Sequence, residues 1–348
     1  MLTLSELREL QADALADDVE IFDEMCSWTK EQVVAYFESG GSEKPSAMTP
    51  PTVYADMKLT AAGKARFAAD KAPPRVFVAS DGARIVYQYS HGPKTPILIC
   101  GGGTSGRTEA CKEYGAESDQ LKEHAILIFD RRGAGSGASD VRYTTAGPAV
   151  PEVMLQARDV AELIGHLQLP PVILYGWSSG ARLFGTTALA SPALVRALVL
   201  CILTGGPKAA SLLGEQYYLR YAAAADKGGM ERVLLKDGFA SRAAVNGQVA
   251  PYLQSLDPHV FASTMRASAQ LFADTTDEPA LGLRASDLAA CRLPALVVYN
   301  AGSPDDGMHM ESVTRAVAQA LPESEPPVVS TNLREWYGAI LRFFEKHA

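Results

Sequence analysis

The sequence has little of what marks a secreted, membrane-spanning or metal-binding protein. Its N-terminus has no basic segment followed by an apolar one, so no secretory signal is visible. No apolar run approaches the roughly 20 residues that cross a bilayer. The five cysteines have no CxxC or other metal-type spacing, which suits free thiols in a reducing cytosol. These absences predict a cytoplasmic protein without a metal site.

An excess of positive charge is absent as well. The 348 residues carry a formal net charge of −8. Nucleic acids and anionic membrane surfaces both require a concentrated basic surface, so the charge argues against either partner. The length, with 47% hydrophobic residues, fits one large α/β domain with additions, whose partner would be a small molecule.

The residues before the main domain predict a helical extension and a linker. Leucines recur at near-helical intervals from Leu2 to Leu15, and a second helical segment ends at Gly40-Gly41. The proline-containing stretch 42–60 has the composition of a linker.

The main domain predicts a doubly wound, mostly parallel α/β sheet. Two alternating segments on either side of Asp81-Gly82 predict a β-hairpin. Continuous apolar runs, typical of parallel strands buried on both faces, follow at Pro96–Cys100, Ala125–Phe129, Pro171–Tyr175, Ala197–Ile202 and Ala295–Tyr299. Helical patterns such as Val153–Leu167 separate these runs, which indicates βαβ units.

About 90 residues without a buried-strand run separate the last two of these strands. Their helical pattern predicts a cap over the C-terminal edge of the sheet, where open α/β sheets bind ligands. The predicted boundaries are 1–72 for the extension and linker, 73–204 for the first part of the core, 205–293 for the cap and 294–348 for the second part of the core. The extension and the cap are the candidate contacts of a homodimer.

The clearest chemical motif is Gly176-Trp177-Ser178-Ser179-Gly180. An apolar strand pattern leads into it and a helical pattern leaves it, as at a nucleophile elbow. Such a sharp turn needs glycine at 176 and 180, because a side chain there would collide with neighbouring backbone. The turn presents Ser178 Oγ at a helix N-terminus, where the helix dipole favours negative charge. Ser178 is the candidate nucleophile, and a glycine-bracketed structural turn is the alternative.

A glycine-rich turn, Gly101–Gly106, follows the first parallel strand. Glycine lets a backbone N–H approach a substrate oxygen, so Gly102 and Ser179 are the candidate oxyanion-hole donors. A nucleotide-phosphate loop is the alternative, but no Gly-Lys-Ser/Thr ending is present and GxGxxG fits poorly.

The order of three motifs carries a family resemblance. Gly101-Gly102-Gly103 follows the first parallel strand, Asp130–Gly135 (Asp-Arg-Arg-Gly-Ala-Gly) the next, and Gly176–Gly180 the third. This order resembles the α/β-hydrolase superfamily over about residues 75–345, and Thr204–Met230 resembles a poorly characterised bacterial subgroup. The resemblance implies the α/β-hydrolase fold with a cap before the penultimate strand.

The resemblance also implies a catalytic acid after the penultimate strand, in a Gly-x-x-Asp pattern. Gly302–Asp305 matches this pattern, so Asp305 is the candidate acid and Asp306 is the adjacent alternative. The other position used in some relatives, Leu203–Gly206, holds no carboxylate. A helix N-cap role is the alternative for Asp305, and the two roles can coexist.

The histidine that the superfamily places after the last strand is missing. The last apolar strand, Pro327–Ser330, runs into a terminal helix without one. Surface, packing or weak cap roles fit the five histidines His91, His124, His166, His259 and His347. His309 lies four residues after Asp305, so the two would share a face if the segment were helical. We expect His309 to be the base that activates Ser178; the alternative is a partly exposed helix histidine.

Four residues are candidate substrate contacts. They are Trp177 and Gly103, beside the nucleophile and the oxyanion loop, and the aromatic pair Tyr217-Tyr218 in the cap. Simple packing is the alternative for each of them.

Three functions remain open. The first is hydrolysis of an ester, lactone or thioester of a small, mostly apolar substrate through an acyl-enzyme on Ser178, with no cofactor. The second is carbon–carbon hydrolysis, a cofactor-free lyase step or acyl transfer on the same fold. The third is a non-catalytic ligand-binding protein, which the missing histidine loop keeps open.

Overall fold

The computed structural model describes residues 65–68, 71–112, 115–134, 137–143, 149–273, 277–302 and 306–348. The helices predicted within the first 40 residues and the linker after them lie outside the described residues, as does the candidate acid Asp305.

Eight strands form one sheet in the order β1-β2-β4-β3-β5-β6-β7-β8. They are β1 (Arg75–Val78), β2 (Arg84–Ser90), β3 (Lys94–Cys100), β4 (His124–Phe129), β5 (Val172–Trp177), β6 (Val195–Cys201), β7 (Ala295–Asn300) and β8 (Val328–Ser330). The hairpin β1-β2 and the pair β2-β4 are antiparallel, and all other pairs are parallel. The prediction of a doubly wound, mostly parallel sheet is confirmed.

Helices connect the parallel strands. Those of the core are α1 (Arg107–Lys112), α2 (Glu152–His166), α3 (Ser179–Ala190), α10 (Glu311–Ala320) and α11 (Leu333–His347). Those between β6 and β7 are α4 (Gly206–Gly214), α5 (Arg220–Leu234), α6 (Asp237–Val245), α7 (Val249–Gln254), α8 (Pro258–Ala273) and α9 (Ala285–Ala290). No described helix has both the length and the apolarity needed to cross a membrane.

The central strands are apolar throughout because helices cover both faces of the sheet. On β5, Val172 and Leu174 belong to the core cluster on one face, whereas Ile173 and Tyr175 belong to the cluster on the other. Each buried aliphatic side chain of this size contributes roughly 1.5–3 kcal/mol to folding. The strand is therefore fixed firmly in register, and its C-terminal end positions the residue that follows, Ser178.

The described part of the segment between β6 and β7 contains six α-helices, a π-helical turn and the short loops that connect them, and no named strand. Its longest helix, α8, packs against α4 and α5, and ring contacts such as Phe239–Phe261 fill the interior of the group. A π-helical turn, Glu215–Leu219, joins α4 to α5 and carries the aromatic pair Tyr217-Tyr218. The helical content agrees with the predicted cap, whose boundaries stay predictions.

Candidate active site

The turn at Ser178 has the strained geometry of a nucleophile elbow. Ser178 adopts φ 49° and ψ −113°, and residues other than glycine rarely take such a positive φ. A Cβ at Gly176 would lie 2.5 Å from the Gly180 carbonyl oxygen, and one at Gly180 would lie 2.4 Å from the Cys100 oxygen. Both glycines are thus required for the close approach of β5, α3 and the end of β3. Strain of this kind is costly and persists where a function selects it.

His309 reaches Ser178, the candidate nucleophile. Its Nε2 atom lies 2.9 Å from Ser178 Oγ, which is hydrogen-bonding distance. The loop that carries it is anchored from two sides: His309 forms a β-bridge with Thr204, and the Tyr299 hydroxyl donates to the His309 carbonyl at 3.2 Å. The Gly205 N–H also donates to the Met308 carbonyl at 3.0 Å. The base candidate therefore lies between β7 and α10.

The carboxylate that contacts His309 is Asp306, the alternative to the preferred Asp305. Asp306 Oδ2 lies 2.7 Å from His309 Nδ1. Asp306 Oδ1 accepts hydrogen bonds from the backbone N–H groups of Met308, at 2.8 Å, and His309, at 2.7 Å. The helical condition for a pair between residues 305 and 309 is not met, because residues 306–309 form a loop and α10 begins only at Glu311. His309 pairs instead with Asp306, three residues before it.

The surroundings of Asp306 keep it ionised. Burial alone would raise its pKa, but the hydrogen bond and charge of His309 and the two backbone N–H groups outweigh burial and lower the pKa below 3.8. An ionised Asp306 accepts a hydrogen bond from the Nδ1–H of His309, which keeps the proton on Nδ1 and leaves the lone pair of Nε2 directed at Ser178. The three side chains therefore form the chain of hydrogen bonds that a serine nucleophile requires.

Gly102 lies against the nucleophile. A Cβ built on Gly102 would be 2.9 Å from Ser178 Cβ and 3.6 Å from Ser178 Oγ, so only glycine fits there. Ser179 begins α3, and the N–H groups of a first helical turn have no partner within the helix. The Ser179 hydroxyl donates to the Gly103 carbonyl at 3.1 Å and so connects the turn at Ser178 with the glycine-rich turn after β3. This placement suits the predicted roles of Gly102 and Ser179 as oxyanion donors.

Two predicted substrate contacts need correction. Trp177 is buried in the core, where its ring packs against Trp336 with centroids 4.8 Å apart, because strand alternation turns it away from Ser178. Tyr218 is also buried, and its hydroxyl donates to Glu152 while its ring packs on Phe272. Both side chains serve packing, as their alternative interpretation had it.

The other two predicted substrate contacts, Gly103 and Tyr217, lie together beside the nucleophile. The Tyr217 hydroxyl is 3.9 Å from the position that a Cβ on Gly103 would take. Gly103 has φ +50°, a left-handed conformation that favours glycine. The π-helical turn that carries Tyr217 is a feature often found at functional sites.

The remaining histidines take other roles. The Nδ1 atom of His124 bonds the Thr95 carbonyl, and the rings of His91, His166 and His347 contact Tyr89, Phe77 and Phe343. His259 lies in the first turn of α8. Among the described residues, no group of three or more His, Cys, Asp or Glu side chains is placed to hold a metal ion.

The sequence interpretation missed two buried arginines, Arg131 and Arg182. Arg131 Nη2 donates to the Gly103 carbonyl at 2.5 Å. Arg182 lies one helical turn after Ser178, where its backbone N–H donates to the Ser178 carbonyl at 3.1 Å. A charged residue in the otherwise apolar helix α3 was the available signal.

The parallel sheet, with a nucleophile elbow between β5 and α3, defines the class of α/β-fold hydrolases. Residues 97–335 match the family described as the alpha/beta hydrolase family, and the chain belongs to that family. No curated protein matches the chain.

Solved structures with the same fold are only distantly similar in sequence. A carboxylesterase structure from Nitrososphaera gargenis is 15% identical, with TM-score 0.51, 78% of this chain covered and 98% of the other. MGS-M2, an α/β hydrolase from a Medee basin deep-sea metagenome, is 13% identical, with TM-score 0.51 and 79% and 98% covered. A hydrolase from Pseudomonas aeruginosa PA01 is 22% identical, with TM-score 0.49 and 77% and 96% covered. At these identities the likeness shows the fold alone.

Proposed function

We propose that this protein is a serine hydrolase that cleaves an ester, lactone or thioester of a small, mostly apolar substrate. The observation that carries the proposal is the 2.9 Å contact between Ser178 Oγ and His309 Nε2, with Asp306 on the other ring nitrogen at 2.7 Å. A positioned base activates a serine hydroxyl, and a carboxylate behind the base fixes its tautomer.

The reaction proceeds in two steps. Ser178 Oγ attacks the substrate carbonyl while His309 Nε2 takes its proton, and Asp306 stabilises the imidazolium that forms. The N–H groups of Gly102 and Ser179 bind the oxyanion, and His309 then protonates the leaving group. A water molecule, activated by His309 in the same way, attacks the acyl-enzyme and releases the acid.

The same contact counts against the non-catalytic alternative. That alternative depends on the absence of a histidine after β8, and His309 supplies an imidazole to Ser178 from the loop after β7 instead. The lyase, carbon–carbon hydrolase and acyltransferase alternatives use the same nucleophile, and no contact among the described residues of the site favours them.

A panel of p-nitrophenyl esters with acyl chains of two to eight carbons tests the proposal. Wild type is expected to turn over the shorter esters, and Ser178→Ala and His309→Ala are expected to lose at least about 10³-fold in kcat. His259→Ala, on α8, is the matched control and should keep wild-type rates. Turnover that survives Ser178→Ala, or its absence from wild type on every ester, would contradict the proposal.

A further inference from the structure

Two arginines beside Ser178 are buried, and neither forms an ion pair with a described residue. Arg131 and Arg182 are 4% and 5% exposed. Within the described part of the chain, Arg182 Nε, Arg182 Nη1 and Arg131 Nε have no hydrogen-bond partner. No described carboxylate lies within ion-pair distance of either guanidinium, whereas the neighbouring Arg132 is neutralised by Asp159 and Asp81. A buried, unpaired guanidinium is costly, since arginine does not lose its proton in proteins.

The surrounding groups do not neutralise the pair. The Arg182 guanidinium carbon lies 4.2 Å from the centre of the Phe272 ring, which covers one face of the group and carries no negative charge. Glu152 interacts electrostatically with both arginines, but also with Arg242 and Arg132, and it accepts a hydrogen bond from the Tyr218 hydroxyl, so one carboxylate is shared among four guanidinium groups. The arginine pair therefore keeps an excess of positive charge.

The position of the two arginines indicates that they would bind the acyl part of a substrate. Arg131 is bonded to the Gly103 carbonyl, on the side of the oxyanion loop, and Arg182 is one helical turn beyond Ser178. The leaving group must lie on the other side, near His309, because His309 gives it a proton. A group held by the arginines would thus belong to the acyl chain attached to Ser178.

We propose that Arg131 and Arg182 bind a carboxylate at the far end of the acyl chain, so that the substrate is a monoester or thioester of a short dicarboxylic acid. The proposal rests on the proposed serine hydrolase function for its reaction and replaces the mostly apolar acyl group of that proposal by one that ends in a carboxylate, but the anion site stands on its own geometry. A guanidinium presents paired N–H donors that match the two oxygens of a carboxylate, and such charge-assisted bonds are the strong ones.

Ester pairs that differ only in one charge measure this preference. The probes are the mono-p-nitrophenyl esters of succinate, glutarate and adipate, each beside its neutral methyl ester, with Ser178→Ala as the blank. Wild type is expected to favour the charged member about 10- to 100-fold in kcat/KM for at least one chain length. A ratio at or below one for all three lengths would overturn the proposal.

Arginine variants separate recognition from a structural role. Arg182→Gln and Arg131→Gln are expected to bring the charged-to-neutral ratio close to one, and Arg182→Lys to restore part of it. Because the ratio is taken within one variant, a general loss of activity does not affect it. Arg266→Gln, which removes an exposed arginine paired with Asp226 on the helical insertion, should keep the wild-type ratio. An unchanged ratio in Arg182→Gln would overturn the proposal.

A binding measurement distinguishes failure of this inference from failure of the proposed function. In the Ser178→Ala background, glutarate well above its Kd is expected to raise the Tm by about 2–4 °C, and dimethyl glutarate and inorganic phosphate are not. Adding Arg182→Gln should remove the shift. A glutarate shift without ester hydrolysis would support the anion site and refute the hydrolase. No shift, or an equal shift with phosphate, would refute the carboxylate site.

Discussion

Replacing Asp306 by asparagine should disable His309 while leaving the loop intact. Oδ1 of Asp306 accepts two backbone N–H groups and Oδ2 faces His309 Nδ1. After the Asp306→Asn change the amide oxygen keeps the two N–H groups, because an NH₂ group cannot accept them. The NH₂ group then faces Nδ1 and forces the proton of the ring onto Nε2, where it points at Ser178.

The size of the effect follows from that tautomer. With a hydrogen on Nε2 the ring cannot take the serine proton, and the same change in a serine protease triad lowers kcat by about 10⁴-fold. This corresponds to about 5 kcal/mol of lost transition-state stabilisation. The free energy of unfolding should change by less than about 1.5 kcal/mol, since both backbone hydrogen bonds remain.

Steady-state kinetics on a p-nitrophenyl ester, with thermal denaturation of the same samples, measure both quantities. Asp305→Asn is the matched control, since it removes the neighbouring carboxylate that the sequence pattern favoured. The reasoning would be refuted if Asp306→Asn kept kcat within tenfold of wild type, or if Asp305→Asn lost as much as Asp306→Asn.

Two further predictions follow from the geometry. Gly176→Ala should destabilise the fold by about 1–3 kcal/mol, because its Cβ would lie 2.5 Å from the Gly180 oxygen. Gly165→Ala is the control: a Cβ at Gly165, in helix α2, has nothing within 4 Å, so this change should be neutral or stabilising by up to about 1 kcal/mol. Urea unfolding of both variants beside wild type measures the two changes in the free energy of unfolding. In pH–rate profiles, protonation of Asp306 should reduce kcat/KM only at a lower pH than an ordinary aspartate would show, because burial alone would raise its pKa but its hydrogen bonds to His309 and to two backbone N–H groups lower it below the usual value.

The local parts of the site could be predicted from the sequence because local sterics determine them. The elbow needs glycine on both sides of Ser178 whatever the rest of the chain does, and the motif displays that need. The alternation of side chains along β5 could also have shown that Trp177 is buried in the core, since Ile173, Tyr175 and Trp177 all belong to the core cluster on one face of the sheet.

The identity of the acid could not be predicted because distant contacts determine it. The Gly-x-x-Asp pattern of the resemblance favoured Asp305 over the adjacent Asp306, but the position of His309 depends on its bridge to Thr204, about a hundred positions earlier in the chain. A local pattern does not contain that contact, so it cannot decide which of two adjacent carboxylates faces His309. The two arginines were missed for a related reason: Arg131 lies within a motif and Arg182 within an apolar helix, and only the fold shows that both are buried at one site.

The central claim is that Ser178 is a nucleophile activated by His309. Intact-mass analysis after treatment with a fluorophosphonate tests it without knowledge of the substrate, because the probe phosphonylates activated serines. We expect wild type to gain one adduct, mapped by peptide sequencing to Ser178, and Ser178→Ala and His309→Ala to gain none on the same timescale. An unlabelled wild type, or an adduct formed as fast in His309→Ala, would contradict the account.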